Sequence, residues 1–362
     1  MDGARHRVLN AGLVGLGVQG GRLIAAINGS NTSVRIAAGV TITPAEADAV
    51  GTRYGIPVFD RIDPMLEDRS IDAVIVATPP IVHFEQVCAA ARAGKHVYCE
   101  KPFTLDLQSA LEAVRICEEA GVSLGVAFTH RLHPAMQQLY AIVRGGELGT
   151  ILHATGNYSH NWLPPSEPTG WRALPASSPA GTLFFTGNGV HTLDALIGLF
   201  GRIVQTDAKG QSRIPAGDLL DVVSAHVKFE SGPAATITSV HGTPSIWRIE
   251  VFGSEGWAEV RDWHTLTVKM RGDVVRSLTF PPAPVLKLGL ESFAAEVRKE
   301  SPHFVSIDDV LAGVAAYESI IASLKCGSSI EVNDVVVGSA CELDRLQKAA
   351  EPGAGGNTVT VS

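Results

Sequence analysis

Between residues 7 and 145, short runs rich in β-branched residues alternate with longer stretches of helical period. This is the pattern of a parallel sheet joined by crossover helices. Strands are expected at Val8 to Val14, Val34 to Val40, Ala73 to Ala77, His96 to Cys99 and Val122 to Phe128. Most of these runs are continuously apolar, as strands covered by helices on both faces must be. Helix ends are marked as well. Thr43-Pro44-Ala45-Glu46 combines a threonine cap, a proline at the first helical position and a glutamate that would complete a capping box. Asp63-Pro64 repeats the start signal, and Gly94 and Gly121 follow helical stretches where glycine takes a left-handed stop most cheaply.

After about residue 150 the period changes to two, with Ala225, Val227 and Phe229 set against Ser224, His226 and Lys228, and Leu266 and Val268 against Thr265, Thr267 and Lys269. Such alternation predicts an antiparallel sheet with one wetter face. Two helices then close this second region: one carries Leu290, Phe293 and Val297, and the other runs from Ser306 through Val310, Val314, Tyr317 and Ile321 to Gly327. The whole reads as an α/β protein. A doubly wound Rossmann sheet is expected over 1–130, an α/β domain with a large, mostly antiparallel sheet over 131–332, and a C-terminal extension over 333–362. Gly353, Gly355 and Gly356 mark the end of that extension as a loose tail.

Composition narrows the function classes. A length of 362 residues suits two domains, and 45% hydrophobic with 18% charged residues lies far from the disordered regime. The net charge of −8 leaves no surplus of cations for a phosphate backbone, so nucleic acid is not an expected partner. No uninterrupted apolar run approaches the roughly 20 residues that cross a bilayer, so no membrane association is expected either. The five cysteines form no C-x-x-C pair, which points away from a metal site and toward a reducing cytoplasm.

Directly after the first expected strand stands Gly15-Leu16-Gly17-Val18-Gln19-Gly20, a G-x-G-x-x-G opening a helix. Its glycines allow a tight turn and close approach of a pyrophosphate to helix N-terminal N–H groups, so a dinucleotide is expected against Gly15, Gly17, Val18, Gln19 and Gly20. The second strand ends at Thr41, where enzymes that grip the ribose 2′-hydroxyl carry an acidic residue. Loss of that carboxylate leaves NAD and NADP both open and leans slightly to NADP, although no arginine stands beside it. Two further segments, Thr78-Pro79-Pro80 with His83, and Glu100-Lys101-Pro102, fall at carboxyl ends of parallel strands, where open α/β sheets place ligands.

With these motifs and with Gly189-Val190-His191-Thr192-Leu193-Asp194, the chain resembles the glucose-fructose oxidoreductase and inositol dehydrogenase (Gfo/Idh/MocA) family over about residues 7 to 332. The resemblance implies hydride exchange between NAD or NADP and a secondary hydroxyl or ketone of a sugar, cyclitol or related polyol. It places the catalytic lysine at Lys101 and the catalytic histidine at His191, with Thr41, Thr78, Pro79, Pro80, His83, Glu100 and Lys101 around the cofactor. An imidazole near neutrality suits removal of the hydroxyl proton, and a lysine suits the developing alkoxide. Where many relatives carry an aspartate four residues before the histidine, this chain has Gly187. Either the base works less assisted, or another group such as His160 or Asp194 substitutes, or the chemistry differs from that of inositol dehydrogenases. Arg131, Tyr158, His160, Trp162, Arg172 and Asn188 are candidate substrate contacts, since aromatic faces and donors suit a polyhydroxylated ring. Arg131 either lines the crevice or pairs with a carboxylate. A homo-oligomer, dimer or tetramer, is implied by the same resemblance. Two alternatives remain at this stage: a redox-assisted lyase or glycosidase using the same cofactor, and a non-catalytic cofactor-sensing regulator.

Overall fold

The computed structural model describes residues 7–27, 32–161, 170–214 and 219–332. The extension 333–362 and Trp162 lie outside them.

The first half forms β1 (Leu9–Val14), α1 (Val18–Ile27), β2 (Val34–Val40), α2 (Pro44–Tyr54), β3 (Val58–Phe59), α3 (Asp63–Glu67), β4 (Ala73–Val76), α4 (His83–Arg92), β5 (His96–Cys99), α5 (Leu107–Glu119) and β6 (Leu124–Val126). Its six strands lie in the order β3-β2-β1-β4-β5-β6, and every pairing is parallel. All four residues of β4 are buried, consistent with helices on both faces. Order reverses between β1 and β4, which opens the crevice at their carboxyl ends where such sheets bind ligands.

The rest adds α6 (Pro134–Arg144), β7 (Ile151–Ser159), α7 (Leu183–Gly187), α8 (Gly189–Phe200), β8 (Ile203–Gln211), β9 (Val222–Phe229), β10 (Ala234–Val240), β11 (Ile246–Gly253), β12 (Gly256–Arg261), β13 (Thr265–Met270), β14 (Arg276–Thr279), α9 (Val285–Val297), α10 (Ile307–Cys326) and β15 (Ile330–Glu331). Nine strands form the sheet β14-β13-β12-β11-β7-β10-β9-β8-β15, antiparallel except for β7 beside β10. The expected alternation is there: Val223, Ala225, Val227 and Phe229 point inward from β9 while His226 and Lys228 are exposed.

Helix α8 lies on this sheet, buried on nearly every side, beneath α10. It can approach closely because β7 offers Gly156 there: a methyl group at that glycine would stand 2.2 Å from the Thr192 side chain. The fit fixes the height of His191 over the sheet. Helix α10 keeps the expected ends, with the Ser306 hydroxyl accepting from the Asp309 N–H and Gly327 left-handed at φ 72°.

Two local expectations are corrected. The helix bearing Leu290, Phe293 and Val297 does not close the second region. It returns to the first sheet, where Leu290, Phe293 and Ala294 join the core of Leu13, Ile75 and Tyr98. Its apolar stripe specified that it must be covered, not by which sheet. At the start of α2 the reciprocal capping box does not form. The Thr43 side chain makes no cap hydrogen bond, and Glu46 instead accepts from the hydroxyl of Thr41 at 2.7 Å.

Candidate active site and dinucleotide crevice

The turn between β1 and α1 has the shape that its glycines predict. Gly15 adopts φ 94°, and its N–H donates to Val40 O at 2.9 Å. A methyl group on Gly20 would lie 2.0 Å from the Gly15 carbonyl oxygen, so the helix can start this close to the strand only with glycine there. Val18 opens the helix with its side chain in solvent, and the Gln19 amide donates to Glu100 Oε1 at 2.6 Å, tying the glycine turn to the end of β5. Backbone N–H groups facing an open crevice between β1 and β4 fit a dinucleotide pyrophosphate. Across from them, Thr41 and Glu46 occupy the end of β2.

The Thr78-Pro79-Pro80 turn is held from behind. Thr78 Oγ1 donates to Gln86 Oε1 at 2.6 Å, and His83 stands fully buried, with Nε2 2.8 Å from Thr78 O and Nδ1 2.9 Å from Pro102 O. His83 therefore braces the loops after β4 and β5 against each other and presents no face to the crevice. Burial pushes its pKa down. Glu100, buried beside Gln19, is pushed up by burial, with the Lys101 charge opposing.

Lys101 meets the end of α7, just ahead of the helix bearing His191: Lys101 Nζ donates to Gly187 O at 2.9 Å. The residue that would be an aspartate in many relatives thus lies against the lysine even as glycine, through its carbonyl. Burial lowers Lys101 below an ordinary lysine, and Glu100 works the other way. His191 occupies the first turn of α8, its N–H donating to the carbonyl of the buried Asn188 at 3.0 Å. Neither expected substitute for the missing aspartate serves it: Asp194 is committed elsewhere, and no contact links His160 to His191 among the described residues. What covers His191 is His130, stacked on it with centroids 3.8 Å apart and planes at 14°. Burial drives both imidazoles well below their usual pKa; next in effect come His130 and Lys101 for His191, and His133 and Lys101 for His130. Both are therefore neutral at neutral pH.

Around this pair stands a wall that sequence reasoning largely missed. Tyr158 lies 5.8 Å from His191 and 5.6 Å from His130 between ring centroids. Trp247 and Trp263 approach His130 at 5.1 and 5.5 Å, and His264 lies 6.1 Å from His133. Trp263 is carried by a turn between β12 and β13 in which Asp262 and Trp263 take φ of 51° and 61°. A bulky residue in the left-handed region is costly, so its place is set by the surrounding structure and not by a local sequence signal. Nδ1 of His130, His133, His191 and His264, and Nε1 of Trp247 and Trp263, are buried with no protein partner.

Other candidates fall elsewhere. Arg131 is buried, with Nε 2.9 Å from Asp194 Oδ2, Nη2 2.9 Å from Asp194 O and Nη1 2.6 Å from Asp309 Oδ2. Asp194 keeps this guanidinium charged despite burial. Arg131 therefore fastens α8 and α10 to the loop after β6, which corrects its place among the substrate contacts. Asp194, fully engaged by it, cannot polarise His191. His160 follows β7 directly, its carbonyl 3.2 Å from His241 Nδ1 and its own Nδ1 buried without a partner. Arg172 stacks over Trp171 with its guanidinium carbon 4.4 Å from the ring centroid. No cluster of histidine, cysteine or carboxylate suited to a metal exists among the described residues, and no helix among them is long and apolar enough to cross a membrane.

Comparison with known proteins agrees with this geometry. Residues 9–128 match the oxidoreductase family with an NAD-binding Rossmann fold, and residues 136–259 match the C-terminal domain of the same family. The chain belongs to the Gfo/Idh/MocA oxidoreductase family. It is 27% identical over 331 residues to D-xylose 1-dehydrogenase (NADP(+)) 2 of Haloferax volcanii, covering 89% of this chain and 98% of that protein. It is 29% identical over 294 residues to scyllo-inositol 2-dehydrogenase (NAD(+)) of Bacillus subtilis, covering 75% and 82%. In fold it is similar to levoglucosan dehydrogenase in complex with NADH and L-sorbose, with TM-score 0.80, 22% identity and coverage of 90% and 99%.

Proposed function

We propose that this protein interconverts a secondary hydroxyl and a ketone on a sugar, cyclitol or related polyol, with NAD or NADP as hydride carrier. The observation that carries the reading is the 2.9 Å bond from Lys101 Nζ to Gly187 O, which holds an ammonium against the segment leading into His191. The bound nicotinamide would accept or donate the hydride. Lys101 then holds the substrate oxygen and favours its partial negative charge as the proton leaves. His191, kept neutral by burial, takes that proton during oxidation and returns it during reduction. Tyr158, Trp247 and Trp263 offer flat apolar faces to a ring, and the unpartnered ring nitrogens among them suit its hydroxyl groups. Domain limits near 130 and 332, and self-association through the polar face of the nine-stranded sheet carrying Thr155, Arg248 and Glu250, belong to the same proposal.

The test incubates purified protein with NAD or NADP and a panel of sugars, cyclitols and glycosides, following nicotinamide reduction together with product mass. Stoichiometric NADH or NADPH with loss of two hydrogens from a polyol supports the reading. Release of an aglycone without net reduction would replace it with redox-assisted elimination.

A further inference from the structure

The end of β2 holds no acidic residue, yet a carboxylate stands there. Glu46, in the first turn of α2, reaches back so that Oε2 accepts from Thr41 Oγ1 at 2.7 Å, and that hydroxyl accepts in turn from the Thr43 N–H at 3.1 Å. Thr41 is buried, so its one hydroxyl proton is committed to Glu46 and the carboxylate is held in place. The other oxygen is directed to the glycine turn: a methyl group added at Gly17 would meet only Glu46 Oε1, at 3.9 Å. Oε1 has no hydrogen-bond donor among the described residues. Ile42, the next residue after Thr41, is an apolar side chain left 89% exposed. The segment 38–47 contains no lysine or arginine, and the arginines flanking it in the chain are engaged, Arg35 with Asn10 Oδ1 at 2.9 Å, Arg53 over the Tyr54 ring and Arg61 with Asp63 at 3.4 Å.

We infer that Glu46, positioned by Thr41, is the residue that selects NAD over NADP in this chain. The inference rests on the proposed function only in taking the crevice as a dinucleotide site. A fixed carboxylate with a spare oxygen beside the second glycine accepts a ribose hydroxyl, and a charged acceptor makes that bond stronger than a neutral one. The same carboxylate opposes a 2′-phosphate, and the segment 38–47 supplies no cation to neutralise the pair. The lean toward NADP drawn from Thr41 alone is thereby reversed: the threonine does not remove the carboxylate but imports one from the next helix. Exposed Ile42 adds an apolar surface that needs no charged partner.

The experiment titrates the full-length protein with NADH and with NADPH, read by nicotinamide fluorescence and calorimetry without any substrate. Wild type is expected to bind NADH about tenfold or more tighter than NADPH. Glu46→Gln, which keeps shape and loses charge, should weaken NADH, strengthen NADPH and shrink that ratio by about tenfold. Ile42→Arg combined with Glu46→Gln should invert it. Thr41→Val, which releases the carboxylate, should lower the ratio less than Glu46→Gln. Equal or tighter NADPH binding by wild type, or an unchanged ratio in Glu46→Gln, overturns the inference while leaving the dinucleotide site intact. Binding of neither nucleotide by folded wild type overturns both this inference and the proposed function.

Discussion

Replacing Arg131 with methionine tests whether this arginine holds the fold or the substrate. The side chain is 6% exposed, and its partner Asp194 is 3% exposed. Methionine fills a similar volume but leaves the Asp194 carboxylate buried without its counter-ion, near a second carboxylate, Asp309. Removing one partner of a buried ion pair costs about 3–5 kcal/mol. For a cooperative unit of about 150–250 residues that is a fall in Tm of about 6–20 °C. The sign with pH can be worked out. Burial already raises Asp194 to about 6 against the guanidinium, and without the guanidinium the rise is larger, so the folded state binds the extra proton and stability falls as pH rises. Arg131→Met should therefore lose more stability at pH 8 than at pH 5, and adding Asp194→Leu should recover much of the loss. Thermal unfolding across that range, with NADH binding and turnover measured well below Tm, reads all of these quantities. An unchanged Tm with turnover abolished would refute the argument and return Arg131 to the crevice.

Gly20→Ala places a methyl group 2.0 Å from the Gly15 carbonyl oxygen and should abolish NADH binding while the nine-stranded sheet stays folded; retained affinity would show the turn to be more pliant than its geometry. The acid limb of kcat/KM for polyol oxidation should fall well below pH 6.5, because the neutral base is lost only as pH drops through the depressed His191 pKa. His191 is faced by His130, Lys101, His133 and Tyr158, so His130→Phe keeps the burial, removes the stacked ring whose protonation opposes that of His191 and should move that limb to higher pH. A limb at the same pH in both proteins would count against the stacked pair.

The first sheet was legible because each of its elements carries its own marks: continuous apolar strands, glycine stops and a phosphate turn whose meaning is local. Lys101 and His191 were legible through their motifs, although only the fold brings Lys101 to Gly187, 86 residues away. Helix α9 was misplaced because an apolar stripe does not name its partner sheet. Glu46 was read as a cap because threonine followed three residues later by glutamate is a local signal, and a tertiary hydroxyl at Thr41 outcompeted it. His130, Trp247 and Trp263 passed unnoticed because a single ring carries no spacing motif, and their convergence depends on β11, on the turn after β12 and on the loop after β6 meeting in space.

The most direct measurement compares Lys101→Met and His191→Asn with wild type, recording kcat/KM for polyol oxidation alongside NADH affinity. Each variant should lose about 10²–10⁴ in kcat/KM, with NADH affinity nearly unchanged. Turnover that survives either substitution, in protein that still binds NADH, would contradict the pairing of amine and imidazole on which the mechanism stands.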